Sequence, residues 1–134
     1  MILIYIPRLE PVSWKSHAGW GARSYNPRAL EKETVQLHLR NFYKEEPIDF
    51  PVKVHFEFYF SMPKHFSKKK QKDALDDIIR PLRKDCTNLQ KFTEDCLKGI
   101  VIKDDDLVCE ISSKKFYREI PGIYITVEKL NSEE

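Results

Sequence analysis

The chain has 134 residues, 41% hydrophobic and 12% aromatic, which suits one folded domain with a core and argues against disorder of the whole chain. Its formal net charge of +2 does not by itself indicate nucleic-acid binding, so the placement of the charges must decide that point. Three cysteines without C-x-x-C spacing argue against a disulfide framework and favour a reducing, cytoplasmic location. No apolar run approaches the roughly 18 residues of a membrane span, so no membrane partner is expected.

The N-terminal residues predict a strand followed by a long loop. Residues 2–6 are β-branched or aromatic and end at a proline, as is typical of a strand. Residues 7–25 hold prolines, glycines and both tryptophans, Trp14 and Trp20, and predict an irregular loop. Its interleaved basic and aromatic residues are suited to contact phosphates and unpaired bases, but the tryptophans are equally suited to pack on the domain.

A helix and a strand are predicted next. Asn26-Pro27 is typical of a helix start, and residues 45–47 are predicted to stop this helix. The apolar positions expected to face a core are Leu30, Val35, Leu39 and Phe42. Residues 52–60 alternate between apolar and polar side chains, which predicts a strand with one core face. The polar face is suited to solvent, a dimer partner or DNA.

Residues 64–84 form a predicted basic arm. Ser67 is suited to cap a short helix over residues 67–79, which Pro81 disturbs. The basic side chains of the arm are suited to bind DNA phosphates, although such a run is also typical of a solvated helix face. The candidate DNA-binding residues of the arm are Lys68, Lys69, Lys70, Arg83 and Lys84.

A short helix is predicted immediately after the arm. Thr87 and Gln90 have the spacing of a capping box, and Gly99 is suited to end the helix in a left-handed conformation. The apolar residues expected on its buried side are Leu89, Phe92, Cys96 and Leu97. The polar stripe beside them contains Asn88, Lys91 and Asp95. Glu94 and Lys98 have the spacing of a favourable ion pair.

Carboxylates flank this helix on both sides in the sequence. Asp85 precedes it, and an acidic triplet, residues 104–106, follows the apolar run of residues 100–102. If the chain doubles back, these acids can meet, and like charges at close range repel unless a cation lies between them. Oxygen ligands favour Mg²⁺ or Mn²⁺ over zinc. Without further support, however, an acidic triplet between two apolar runs most often forms a turn.

Two further strands and a tail are predicted at the C-terminal side. Residues 107–112 and 123–128 alternate in polarity, and the turn signal Pro121-Gly122 lies between them, so they are predicted to form a hairpin. A basic and aromatic patch at the end of the first strand adds two candidate DNA-binding residues, Lys114 and Lys115. Residues 131–134 are expected to be a frayed tail.

Several positions between residues 85 and 105 combine in one pattern of fixed residue types at fixed spacing. They are Asp85, Asn88, Leu89, Lys91, Asp95, Leu97, Gly99, Asp104 and Asp105. The pattern resembles the RusA-type Holliday junction resolvases, whose signature is roughly D-x-D-N-L-x-K, three residues, D-x-L-x-G and a later D-D pair before a strand. The resemblance is close over this stretch and looser over most of the chain.

The resemblance implies a fold and an activity. The fold would be a single α+β domain over residues 1–134, with a mixed sheet of about four strands and two main helices. The activity would be that of a Mg²⁺-dependent endodeoxyribonuclease, with Mn²⁺ able to substitute, which resolves branched four-way DNA junctions by paired nicks. The protein would be a homodimer, because two sites related by a two-fold axis suit symmetric nicks. The family occurs in bacteria and their phages, which suggests a cytoplasmic and prophage-encoded protein.

The resemblance also implies roles for individual residues. The metal ligands would be Asp85, Asp105 and Asp104, and the catalytic residues Asp85, Asp105 and Lys91. Lys91 would direct its cation to the scissile phosphate or the leaving oxygen. Asn88 would position the metal-bearing loop or a water, and Asp95 would hold Lys91 through an i,i+4 pair.

Thr87 is the one departure from the family pattern, because it replaces the second acid of D-x-D. A neutral hydroxyl is a weaker metal ligand than a carboxylate, so metal affinity should fall. Either the change is tolerated, with Asp104 or Asp106 supplying the missing charge, or the protein binds branched DNA and cuts slowly or not at all. A third alternative is a protein-interaction domain that uses the polar strand face, residues 53–59.

Overall fold

A computed structural model describes residues 1–15 and 28–130, which form an α+β domain. The strands are β1 (Ile2–Pro7), β2 (Val52–Ser61), β3 (Val108–Arg118) and β4 (Gly122–Lys129). The helices are α1 (Ala29–Phe42), α2 (Lys68–Leu75) and α3 (Cys86–Leu97). The predicted fold class is confirmed, and α2 is the short helix expected within the basic arm. Part of the predicted loop and the tail, residues 16–25 and 131–134, lie outside the described residues.

The sheet is mixed, with strand order β1-β4-β2-β3. β2 pairs antiparallel with β4 and parallel with β3, so Phe56 lies between Ile125 and Ser113. The predicted hairpin of β3 with β4 is therefore wrong, because β2 separates these two strands. β2 carries three fully buried phenylalanines, and a central position lets their apolar face pack against neighbours on both sides. Residues 119–121 carry the chain past the end of β2.

One face of the sheet holds the core. The alternating residues of β2 are fully buried on that face, as their pattern predicted, and they are Val52, Val54, Phe56, Phe58 and Phe60. Leu39 of α1 and Leu89 of α3 belong to the same cluster. The opposite face is polar, and there the Glu57 carboxylate accepts a hydrogen bond of 2.9 Å from the Tyr59 hydroxyl.

Helix α1 begins and packs differently from the prediction. It starts at Ala29, and the predicted cap Asn26 lies outside the described residues. Val35 and Leu39 are fully buried as expected. Leu30 and Phe42 are 75% and 55% exposed, so their predicted core positions are wrong. They lie at the two ends of the helix.

Helix α2 is capped as predicted but ends early. The Ser67 hydroxyl accepts a hydrogen bond from the Lys70 amide at 3.2 Å. The helix stops at Leu75 instead of continuing to residue 79, because Asp77 adopts a positive φ of 63° that no α-helix accommodates. In that conformation its carboxylate accepts a 2.7 Å bond from the Arg118 guanidinium at the end of β3. In the described part of the chain, no helix is long and apolar enough to cross a membrane.

Candidate active site

Helix α3 begins at an aspartate rather than at the predicted threonine. The Asp85 carboxylate accepts a 2.8 Å hydrogen bond from the Asn88 amide and caps the helix. The predicted capping box of Thr87 and Gln90 is therefore wrong. Aspartate is a strong N-cap, and its negative charge is favoured at a helix N-terminus. Thr87 thus lies exposed inside the first turn, where no hydrogen bond of its hydroxyl is found among the described residues.

The buried side of α3 is the predicted one. Its buried residues are Leu89, Phe92, Thr93, Cys96 and Leu97. Thr93 is the unexpected member, and its hydroxyl donates to the Leu89 carbonyl at 2.9 Å. Beyond the helix, Gly99 adopts the predicted left-handed conformation, with φ of 83°. These contacts leave the opposite side of α3 for the polar residues of the motif.

An N-terminal segment, residues 10–14, crosses the start of α3. The Trp14 amide donates a 2.8 Å hydrogen bond to the Asn88 carbonyl. The Lys91 ammonium lies over the Trp14 ring, 3.5 Å from its centroid. The predicted ion pair of Lys91 with Asp95 is not found among the described residues. The ammonium of Lys91 contacts the indole of Trp14 instead. The sequence placed Trp14 in a loop but held no signal for its partner.

Two of the predicted DNA-binding lysines use their ammonium groups in hydrogen bonds to the protein's own backbone. Lys84 donates to the Pro11 carbonyl at 2.7 Å, and Lys115 donates to the Lys84 carbonyl at 2.9 Å. Burial, and then the nearby charge of Arg83, lower the pKa of Lys84. These two lysines therefore join the segment of residues 10–14, α3 and β3 to one another.

The other predicted DNA-binding residues are more open. Lys68, Lys69 and Lys114 are exposed, and no ion pair of theirs is found among the described residues. The Lys70 ammonium lies 4.6 Å from the centroid of the Phe66 ring. The Arg83 guanidinium lies 3.9 Å from the Glu10 carboxylate and stays largely exposed. Lys70 and Arg83 line the same surface cavity, and Arg83 lies two residues before the cap of α3, so a cationic surface reaches the N-terminal end of this helix.

The other end of α3 is acidic. Asp104 accepts a hydrogen bond from the Asp105 amide at 2.8 Å and lies 3.5 Å from the Lys98 ammonium. Hydrogen bonds from Asp105, at the side chain and then at the backbone, lower the pKa of Asp104, and Lys98 adds to this effect. The ion pair predicted for Lys98 with Glu94 is therefore replaced by one with Asp104.

Glu94 belongs to this acidic end, although the sequence did not single it out. Its pKa is raised, first by burial and then by the negative charges of Asp105 and Asp95. Glu94 and Asp95 are both half-buried, on the part of α3 nearest the acidic turn. The signal available in the sequence was helical spacing, since Glu94 lies one turn before Lys98 and precedes Asp95 directly.

The donor chemistry of the acidic end fits a divalent cation. All the groups are carboxylates, which suit a divalent cation, and after burial the negative charges of Asp105 and Asp95 also raise the pKa of Glu94. Among residues 1–15 and 28–130, however, no three acidic, histidine or cysteine side chains form a group that could hold a metal ion. The predicted ligands Asp85, Asp104 and Asp105 are therefore not gathered at one point: Asp85 caps the first turn of α3, and Asp104 pairs beyond its last turn.

Comparison with known proteins assigns the class. The family model described as Endodeoxyribonuclease RusA matches residues 13–128, which include both ends of α3. Uncharacterized protein YqaN of Bacillus subtilis (strain 168) is 32% identical over 104 residues, which cover 75% of this chain and 73% of that protein. The chain is thus a member of an endodeoxyribonuclease class. Within that class it belongs to the RusA family, as its signature residues predicted.

Proposed function

We propose that the protein is a Mg²⁺-dependent, structure-selective endodeoxyribonuclease that resolves four-way DNA junctions by paired nicks. The supporting observation is that the family match spans the whole of α3, with a cationic surface at one end and an acidic group at the other. The polyanionic substrate and the catalytic cation need these opposite charges next to each other. Action on DNA, and three cysteines that are all free, favour a cytoplasmic location.

Asp105 and Asp104 would hold the metal at the acidic end, and Asp85 would be a separate ligand at the N-terminal end of α3, because the three carboxylates are not gathered at one point. A divalent ion supplies an activated water and neutralises the charge that develops on the phosphate. Asp105 is the first choice at the acidic end, because its side chain is exposed and its charge reaches Glu94. Asp85 remains free to bind a metal through the carboxylate oxygen that does not cap α3.

The polar stripe of α3 would act on the DNA itself. Lys91 is exposed on the second turn of α3 and would direct its ammonium to the scissile phosphate. Asn88 is half-buried and shares the first turn with the Asp85 carboxylate, so it would fix the position of that acid. Asp95 is one of the charges acting on Glu94 and would support the acidic end.

Two copies of the chain would act together. A four-way junction has two-fold symmetry, and a symmetric dimer presents one cleavage site to each of two opposing strands. Paired nicks then follow from geometry, because both sites meet equivalent phosphates at the same time.

The second candidate function is a branched-DNA binding protein with little or no cleavage. The observation that favours it is Thr87, which stands where the family has an acid. Because Asp85 caps α3, the fold does not need Thr87 as a cap, so the residue has no structural role that explains its presence. Loss of one carboxylate would weaken metal binding while leaving the cationic surface intact.

The deciding experiment compares cleavage of a synthetic mobile four-way junction with that of linear duplex, in Mg²⁺ and in Mn²⁺. Wild type should give paired symmetric nicks, and Asp105→Asn should bind the junction without cutting it. Junction binding without nicks in either metal would overturn the nuclease proposal. In that case Thr87→Asp separates the explanations: cleavage gained by this variant identifies the missing carboxylate as the cause.

A further inference from the structure

The segment of residues 10–14 is fixed across the start of α3 at several points. The Glu10 carboxylate accepts hydrogen bonds from the backbone amide and the hydroxyl of Ser61, and the hydrogen bond from the amide is 3.1 Å long. The Pro11 carbonyl accepts from Lys84, and the Trp14 amide donates to the Asn88 carbonyl. Contacts at both ends of such a short segment leave its backbone little freedom.

The Trp14 side chain is fixed as well. It is half-buried and packs against the main core cluster, while Lys91 is exposed. The 3.5 Å separation of the Lys91 ammonium from the Trp14 centroid is the shortest cation–ring distance among the described residues. Tryptophan binds a cation through its ring face more strongly than tyrosine or phenylalanine. A rigid indole therefore contacts a flexible, exposed lysine.

We infer that Trp14 is the positioning residue for Lys91. A lysine side chain is a point charge on a flexible four-carbon stem, and it needs a partner to stay at one place. The i,i+4 carboxylate Asp95 does not supply that partner, whereas the indole does. This inference rests on the proposed role of Lys91 at the scissile phosphate. Trp14 restricts where the ammonium lies before DNA arrives, without touching the reacting atoms itself.

The first test removes the ring in steps. Trp14→Phe keeps a weaker ring face and should lower the rate of junction cleavage slightly, whereas Trp14→Leu should lower it about 10- to 100-fold, as expected for a displaced catalytic group. Junction affinity should change little. The matched control is Phe50→Leu, because Phe50 also lies under a lysine, 4.6 Å from the Lys129 ammonium, but outside the site. It should leave the rate unchanged.

The second test asks whether Trp14 acts through Lys91. In a Lys91→Gln background, Trp14→Leu should cost no further activity, because the ammonium it positioned is gone. An equal loss in both backgrounds would overturn the inference and indicate direct contact of the indole with DNA. Direct contact would also weaken junction binding, which the inference does not predict.

The third test does not depend on cleavage. Reductive ¹³C-methylation of lysines gives one NMR signal per side chain, and Lys91→Arg identifies the signal of Lys91. Over an indole face that signal should be shifted upfield by the ring current in wild type and return to the common position in Trp14→Leu. An unshifted signal in folded wild type overturns the inference. A shifted signal in a protein that fails to cut keeps the contact and rejects only the proposed function.

Discussion

The two ends of helix α3 differ in charge, and each end holds one ionisable group whose pKa is shifted by its surroundings, Lys84 at one end and Glu94 at the other. At the N-terminal end, burial and the charge of Arg83 lower the pKa of Lys84. At the C-terminal end, burial and the charges of Asp105 and Asp95 raise the pKa of Glu94. In both cases the surroundings make the charged form less stable than it is in water.

The two ends would therefore respond to partners of opposite charge. A polyanion near Lys84 would stabilise the ammonium, and a cation near Glu94 would stabilise the carboxylate. A nuclease that binds both DNA and a divalent ion would stabilise the charged form of both side chains. The following changes test that view, beginning with the largest expected effect.

Asp105→Asn should reduce junction cleavage about 100- to 1000-fold, because it removes a charge from the centre of the acidic end. Junction affinity should stay the same or rise, since the change removes repulsion from phosphates. Gel assays of nicking and of binding measure the two quantities separately. Asp49→Asn is the matched control, because it removes the same charge from an exposed aspartate outside the acidic end; an equal loss of cleavage there would contradict the assignment of Asp105.

Replacing Lys68 and Lys69 together by glutamine should weaken junction binding and reduce the slope of log affinity against log salt by about two. Both ammonium groups are exposed, so they are free to neutralise phosphates. Fluorescence anisotropy at several salt concentrations measures the slope.

Lys84→Gln is the contrasting variant for this test. Because its ammonium bonds the Pro11 carbonyl, its loss should lower the free energy of unfolding by about 1 kcal/mol and leave the salt slope nearly unchanged. A full unit of slope lost in Lys84→Gln would show that this lysine leaves Pro11 to contact DNA.

Glu94→Gln should stabilise the protein at pH 7 by about 0.5 kcal/mol in the absence of divalent ions. A glutamate whose pKa is raised on folding favours the folded state below its unfolded value of 4.5, and that contribution is lost as pH rises through the folded pKa. Glutamine imitates the protonated form, so the gain should shrink as pH falls below 4.5. Urea denaturation of both proteins at pH 7 and below pH 4.5 measures this gain in the free energy of unfolding.

Adding Mg²⁺ gives a second test of Glu94 and the acidic end. It should raise the melting temperature of wild type more than that of Glu94→Gln, since the wild type has one more carboxylate at the acidic end. Glu119→Gln, which neutralises an exposed glutamate, is the control and should respond like wild type. A Glu94→Gln variant less stable than wild type at pH 7 without divalent ions would contradict the raised pKa of Glu94.

Thr87→Asp should likewise have only a small effect on stability, a gain of about 0.5 kcal/mol. The residue lies exposed in the first turn of α3, where a negative charge interacts favourably with the helix N-terminus. Thr87→Asn has a similar shape without the charge, so chemical denaturation of the two variants isolates the electrostatic part. Equal stability of the two variants would show that the charge contributes nothing.

The sequence predicted the strands and the buried side of α3 because both depend on local periodicity. Phe56, Phe58 and Phe60 alternate, and Leu89 and Phe92 follow helical spacing, so burial of one face was enough to place them. Pairing of strands is not local: β2 separates β3 from β4, and the turn signal Pro121-Gly122 does not report which strand lies alongside.

The candidate site was predictable as a set of residues but not as a set of contacts. The sequence predicted Thr87 as the cap, whereas Asp85 caps the helix, because the cap depends on where the chain enters α3. Lys91 had a carboxylate one turn away, yet its partner Trp14 lies 77 positions earlier in the chain. Glu94 acquires its raised pKa first from burial and then from the charges of Asp105 and Asp95, and neither its burial nor the approach of Asp105 can be read from helical spacing.

The strand order has a consequence for synthesis. Among the described strands, β1 pairs with β4 alone and β2 pairs with β3 and β4, so each of these ladders needs a strand that follows residue 107. While a ribosome makes the chain, β1 and the phenylalanine-rich β2 emerge without partners and stay exposed to aggregation until the last strands appear. Such distant pairing also slows folding. A nascent chain stalled before β3 therefore has no sheet for α3 to pack on, and it holds no assembled cleavage site near the nucleic acid around it.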